Sequence, residues 1–581
     1  WLMGQKGSPA GLAKTRKTAL LAGGSLAAIG LLGVSLDPRM LVSGVFRHGN
    51  TRLEERYHPV SHVDGRTATV TVMNDVTREG FHTLYTNGKP DASLRTVRWP
   101  EGRPKKAGPA MAGDEPTQFL VAMITALTRP DAKQGALIGL GSGLTSHALL
   151  ASDRLESLTT IEIEPEMAVA ARHFTPVNDR VFKDDRSRLI YDDAKAYFAG
   201  IDARYDYIVS VPSNPWVSGV SSLFTVEFYQ EVKRYIAPGG VLAQWIQGYE
   251  ISDSLLMTVF AALDREFADY RVYRVGSRDY LIVARPDDGE PSRLGPLDAN
   301  LFASPDMKEQ GELLGVSDVS QLEAMLIANR KMMHPFLATH PANQDARPYL
   351  DDGAERDRFF RASAEMLLAL RMTPLPLLEI LGGEERLELV GRIPGLRLER
   401  HVLKEPDKAM ALMDAFNGPS EDARIGEMRT WQLRHQDLRD DVAGWDAWFF
   451  ATYEVFNNVA PWVDLRKQPW WQTVVRTIER PSAPESIVRS VELLDALIER
   501  EGERAWELTQ ICTREGMCRL DPRLVALAGA LALELRDAGE GERKAWVDKY
   551  MSKWARQAED KEDSDTNRAY RVVERFVDRD E

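Results

Sequence analysis

Residues 136–146 read ALIGLGSGLTS. An apolar run is followed by Gly139-Leu140-Gly141-Ser142-Gly143, and an apolar helix begins at Leu144. Glycine permits a tight turn and lets a ligand approach the backbone, and a helix N-terminus favours polar or anionic groups. Such a loop is also compatible with a purely structural turn. Two features downstream point to a ligand. Ile161-Glu162-Ile163-Glu164 ends the next apolar run and places an acid 23 residues beyond Gly139. A carboxylate there can accept both hydroxyls of a ribose. Tyr191-Asp192-Asp193 ends the run after that, where Asp193 could accept from an adenine amino group. Either acid has a simpler reading as a helix N-cap.

Outward from this loop, strands and helices alternate. Strands are expected at Ala136–Gly141, Leu158–Ile163, Arg188–Tyr191, Tyr205–Val211 and Val241–Gln247. Helices are expected at Leu144–Ala151, Glu166–Phe174, Ala194–Ala199, Leu223–Ile236 (stopping before Pro238-Gly239-Gly240) and Ser252–Phe267. Tyr270–Val275 and Tyr280–Ala284 close the series as a strand pair. This spacing implies βαβ crossovers and a mainly parallel sheet, an α/β Rossmann-like domain over 110–286. Before it, Tyr57–Ser93 reads as β-hairpins. Val70 and Val72 alternate with Thr69 and Thr71, and Asn87-Gly88 signals a turn, so 57–109 is expected to be a small β domain ending in an exposed Pro100–Pro109 loop. Thr117–Leu127 has a helical pattern.

After Pro286 the strand signals fade. Segment 287–350 reads as a connection containing one helix, Leu322–Lys331. Residues 351–581 read as an all-α region ending in a charged, solvated helix or tail from Ala558. Its tryptophans Trp431, Trp445, Trp448, Trp462, Trp470 and Trp471 suit helix packing better than ligand stacking. Domains usually hold about 100–200 residues, so a chain of 581 needs several.

Thr18–Leu36 is an uncharged, mostly apolar run of 19 residues, long enough to span a bilayer as a helix. We expect a transmembrane helix in 1–56, preferred over a signal peptide or a buried helix. Basic residues on both flanks leave its orientation open. The chain begins at Trp1, so missing upstream membrane helices are also expected. The net charge of −14 argues against nucleic acid as a general partner. Cys512 and Cys518 fit no zinc motif. They are read as free thiols in a reducing compartment, with a local disulfide as the alternative. His48, His58, His62, His82, His147 and His173 show no ligand spacing, and no metal is implied.

The runs ALIGLGSGLTS, TIEIEPEM (160–167), LIYDDAKAYF (189–198), YDYIVSVPSNPWVSGVSSLFTVEFY (205–229) and APGGVLAQWIQ (237–247) together resemble spermidine synthase, the polyamine aminopropyltransferase family. The likeness is closest to its membrane-fused branch. GDEPTQFL (113–120) and TLYTNGKPDAS (83–93) match the family's helix and hairpin, with an echo in Asn343–Pro348. The resemblance implies that Gly139, Gly141, Ser142 and Gly143 cradle a nucleoside and its methionine-derived chain. Glu162 would hold the ribose and Asp193 the adenine, and Gln118 would line the same pocket. It implies decarboxylated S-adenosylmethionine, or S-adenosylmethionine, as substrate, and a polyamine partner.

Two departures matter. The family's loop acid is Ser142 here, and its catalytic acid is Val211, within Val211-Pro212-Ser213-Asn214. An ammonium must lose a proton before it attacks a sulfonium carbon; valine cannot take it, and Asn214 can orient an amine but is no base. Asp91, Asp114, Glu115, Glu227 or Glu250 could substitute if the fold brings one close.

Three functions therefore compete: an aminopropyltransferase-like enzyme, a methyltransferase using S-adenosylmethionine, and a catalytically inactive membrane-anchored binding or scaffold protein. The expected location is the inner or cytoplasmic membrane, with the soluble domains in the cytoplasm. A homodimer, or a protein partner on the helical region, completes the expected contacts.

Overall fold

The computed structural model describes residues 38–43, 53–97, 111, 113–217, 219–287, 293–385, 404–417, 442–552 and 565–579. The expected transmembrane segment, the Pro100–Pro109 loop, His48 and Trp431 lie outside these residues. Among the described residues no helix is long and apolar enough to cross a membrane.

Strands β1 (Tyr57–Asp64), β2 (Thr69–Asp75), β3 (Phe81–Thr86) and β4 (Lys89–Arg95) form an antiparallel sheet in chain order. The β3–β4 turn is Asn87-Gly88, both at positive φ (49° and 77°), the backbone such a hairpin turn requires. The alternation expected of β2 is lost, because Val70, Thr71, Val72 and Met73 are all buried. One face, with Val70, Val72, Leu84 and Leu94, joins the core of the following domain. On the other, Met73 packs with Val42 and Tyr85. The small sheet therefore shares its larger apolar face with the following domain and keeps only a small cluster of its own.

The second sheet has eight strands. β5 (Gln134–Ile138), β6 (Ser157–Glu162), β7 (Ser187–Tyr191), β8 (Tyr205–Ser210) and β9 (Ile236–Gln247) are parallel. β10 (Asp269–Arg274), β11 (Asp279–Arg285) and β12 (Leu326–Asn329) add antiparallel, giving the order β12-β10-β11-β9-β8-β5-β6-β7. The chain runs outward from β5 to β7, then returns to lay β8 on the other side of β5. Strand order thus reverses between β5 and β8, where open α/β sheets bind ligands. Helices α1 (Glu115–Thr128), α2 (Leu144–Leu149), α3 (Pro165–Ala171), α4 (Ala194–Ala199), α5 (Val226–Val232) and α6 (Asp253–Asp264) cover the two faces.

Several expectations need correction. Pro238-Gly239-Gly240 lies inside β9 rather than before it; the pairing with β8 passes from Tyr205–Ile236 to Tyr207–Val241, so β9 carries three extra residues there. The expected helix Leu322–Lys331 is instead a helix end, the fully buried strand β12, and a helix from Arg330 to Leu337. A short apolar run such as Leu326-Ile327-Ala328 does not reveal its own period. Because β12 belongs to the large sheet, the α/β domain does not end at Pro286.

The charged tail was expected to be solvated. It contains a helix, Asp565–Val577, whose Tyr570, Val573, Phe576 and Val577 are buried at helical spacing against the helices Arg330–Leu337 and Met366–Met372. The cysteines are not free thiols. The chain leaves the helix Gly502–Cys512, turns through Gly516 at positive φ, and brings Cys518 within 5.1 Å (Cα–Cα) of Cys512 as a disulfide. The described tryptophans Trp445, Trp448, Trp462, Trp470 and Trp471 are buried helix-packing residues.

Candidate functional site

The tips of β5, β6 and β7 lie side by side on one edge of the sheet. Gly139, Gly141 and Gly143 have φ of 92°, 52° and 81°, the left-handed region that glycine enters without strain. At Gly139 there is a second requirement: a Cβ would stand 2.7 Å from the Val211 carbonyl oxygen. The loop is held from below by Asn178, a fully buried residue that carried no sequence signal. Its Nδ2 donates to the carbonyls of Ser142 and Ala171, each at 2.7 Å.

Glu162 is buried beneath the loop. One carboxylate oxygen accepts the Leu140 N–H at 2.8 Å and the other the Glu164 N–H at 2.9 Å. Burial pushes its carboxyl up from the usual range, against the backbone N–H groups of Glu164, Leu140, Gly141 and Ile163, which favour the charged form. Asp193 is exposed at the neighbouring tip and caps α4, accepting the Ala196 N–H at 2.9 Å through one oxygen. The helix-cap reading is therefore correct for Asp193, and its second oxygen remains for another role. Ser142 is buried and donates to Gln118 Oε1 at 2.6 Å, so α1 is tied to the glycine loop.

On the opposite side, Val211 follows the last residue of β8, and its N–H donates to the Ile138 carbonyl. The buried Asn214 donates to the Tyr249 hydroxyl at 3.3 Å. Of the proposed substitute acids, Glu115 accepts the Arg95 N–H inside the core and Glu227 accepts the Asp345 N–H. Glu250 follows β9 in left-handed backbone. Asp91 and Asp114 are brought close. Asp91 pairs with Lys89 and accepts from the Ser213 hydroxyl at 3.1 Å, two residues from Val211. Asp114 precedes α1 within the field of Lys89 and Asp91. Its carboxyl is raised, chiefly by burial among protein atoms despite one open side, and Ser93 opposes the shift.

A third acid went unnoticed in the sequence. Asp279 opens β11, and burial followed by the charge of Asp114 pushes its carboxyl up to about 7, with the Trp245 indole acting the other way. Nothing in RVGSRDYL marks it: proximity to Asp114 arises only when β11 folds back beside β9. Among the described residues no cluster of side chains could hold a metal ion.

Residues 117–281 match the spermine/spermidine synthase domain. A polyamine aminopropyltransferase of Nitrosomonas europaea is 29% identical over 151 residues, covering 26% of this chain and 46% of that protein. Polyamine aminopropyltransferase 2 of Hyperthermus butylicus is 27% identical over 164 residues, 27% of this chain and 54% of that protein. The chain thus spans about half the length of these curated relatives. The crystal structure of spermidine synthase from Thermotoga maritima aligns with a TM-score of 0.33 at 16% identity, covering 41% of this chain and 76% of that one. The glycine loop and the buried acid beneath it lie within residues 117–281, and this part of the chain is similar to the spermine/spermidine synthase family.

Proposed function

We propose that this chain is a spermidine synthase-like group transferase. It binds a decarboxylated S-adenosylmethionine-type nucleoside along Gln118, Gly139–Gly143, Glu162 and Asp193 and passes its aminopropyl group to an amine. One observation carries the reading: Glu162, at the tip of β6, is buried under the glycine loop that follows β5, with Asp193 on the adjacent tip. In the transfer, the amine nitrogen bonds to the carbon beside the sulfonium. The carbon–sulfur bond breaks, its electron pair stays on sulfur, and methylthioadenosine leaves.

Isothermal titration tests this. Tight binding of the decarboxylated nucleoside is expected, and no binding of either nucleoside would overturn it and favour an inactive binding protein. Preference for S-adenosylmethionine would favour methyl transfer. Ser142 supports that second reading, since a hydroxyl bonded to Gln118 puts no negative charge opposite the substrate carboxylate. We further propose that Thr18–Leu36 anchors the chain in the cytoplasmic membrane. Recovery of the full chain in the soluble fraction after membrane sedimentation would refute the anchor.

A further inference from the structure

We infer that Asp279, Asp114 and the amide of Gln247 form the amine-binding end of this site, and that Asp279, not a residue of the β8 tip, accepts the proton of the attacking amine. The inference rests on the transfer reading above. Its geometry begins with the antiparallel pair β9–β11, in which Asp279 stands directly opposite Gln247. Opposed residues in such a ladder project from the same face with Cβ atoms about 5 Å apart. Trp245 and Leu281, the next pair on that face, belong to the core beneath α1. The first turn of α1 therefore lies over this corner. Asp114 faces Asp279 there, and one turn later Gln118 reaches Ser142 of the glycine loop. The corner lies on the β8 side of that loop, flanking the place where valine replaces the family's acid.

Gln247 supplies an independent observation. It is fully buried, and neither its Nε2 nor its Oε1 has a hydrogen-bond partner. A buried amide left unpaired costs about 1–3 kcal/mol per group, so a side chain empty at both ends marks a place for a polar occupant. A neutral primary amine is such an occupant. It donates to Oε1, and before attack its lone pair accepts from Nε2.

The surrounding charges fit a cation better than an anion. Lys89 is engaged by Asp91, Arg278 pairs with Glu365 at 2.9 Å, and Arg274 donates to the carbonyls of Gly276 and Ser277. That leaves two carboxylates, Asp114 and Asp279, facing each other. Gly276 keeps the corner open, since a Cβ there would stand 2.1 Å from the Asp279 carboxylate. The arriving ammonium pairs with these acids and gives one proton to Asp279. The freed lone pair attacks the aminopropyl carbon, the product leaves as a secondary ammonium carrying the charge the sulfonium lost, and Asp279 passes its proton to water. Asp91 holds Ser213 and acts as a positioning residue.

The test uses the full chain loaded with methylthioadenosine, titrated with 1,3-diaminopropane, 1,4-diaminobutane and 1,5-diaminopentane, alongside turnover with the decarboxylated nucleoside. Wild type should bind at least one diamine, and kcat/KM should rise with pH through about 7. Asp279→Asn should bind the nucleoside as wild type does. It should lose about 100-fold in turnover and the rise near pH 7, a typical loss for a missing general base. Asp114→Asn should weaken diamine binding and move that rise to lower pH, because the Asp114 charge helps hold the Asp279 carboxyl up. If wild type binds the nucleoside but no diamine, or Asp279→Asn keeps turnover within about threefold, the inference is wrong and the nucleoside reading stands. If the nucleoside itself does not bind, the transfer reading has failed, and this inference with it.

Discussion

Asp279 makes the fold sensitive to pH in a direction opposite to that of most paired carboxylates. Its carboxyl ordinarily ionises at 3.8 and is pushed up to about 7 in the folded chain, first by burial and then by Asp114. Below pH 3.8 the group is protonated whether the chain is folded or not, and it costs nothing. Between about pH 4 and 7 the unfolded chain releases the proton while the fold retains it, so stability falls as pH rises. Above 7 the full penalty applies. A displacement from 3.8 to about 7, at about 1.4 kcal/mol per tenfold change in proton affinity, gives a ceiling of roughly 4 kcal/mol. The partly open corner reduces it to about 2–4 kcal/mol. Asp279→Asn removes the charge while keeping the shape. Urea denaturation should show it more stable than wild type by about 2–4 kcal/mol at pH 8, with the difference shrinking toward zero near pH 4. A variant that is equally stable or weaker at pH 8 would show that Asp279 is not held away from water, and the argument from burial would be wrong.

Glu162→Gln keeps an acceptor for one backbone N–H but loses its charge and the second acceptor. Nucleoside affinity should fall at least tenfold, about 1.4 kcal/mol, by calorimetry, whereas unchanged affinity would remove Glu162 from the site. Gly139→Ala must take φ of 92° and press on the Val211 carbonyl, so it should cost about 2 kcal/mol or more in chemical denaturation. Phe576→Ala in the last helix should cost about 3–5 kcal/mol of local stability. Hydrogen exchange should then speed up selectively in the helices Asp565–Val577 and Arg330–Leu337.

The β5–β9 core was legible because its parallel strands, all but the edge strand β7 largely buried, are written as apolar runs and the turns between them need glycine or capping acids. Ala194–Ala199 matched at both ends, since Asp193 caps it and Gly200 closes it. Long-range partnerships were less readable. β12 is four residues long and gains strand character only by pairing with β10. The final helix looked solvated because its apolar residues are spread among many charges and become a stripe only on a helix. Glu162 and the glycine loop could be found from spacing, yet Asn178 and Asp279 could not. One acts through carbonyls that no motif records, and the other owes its character to Asp114, 165 residues away along the chain. The disulfide was a matter of turn geometry, and six residues of separation do not reveal whether a chain folds back.

Glu164, two residues beyond Glu162, has a structural duty. One oxygen caps α3 through the Glu166 N–H, and the other takes the N–H and hydroxyl of Thr67 and the N–H of Ala68. The loop between β1 and β2 is thereby riveted to the segment that carries Glu162. The two sheets then cannot be cut apart at the loop after β4 without leaving that carboxylate stranded and Val70, Val72 and Leu84 without their partners. A ligand that tightens the tip of β6 would also stiffen the hairpins, so proteolytic nicking within residues 57–97 should report occupancy of a site those residues only border.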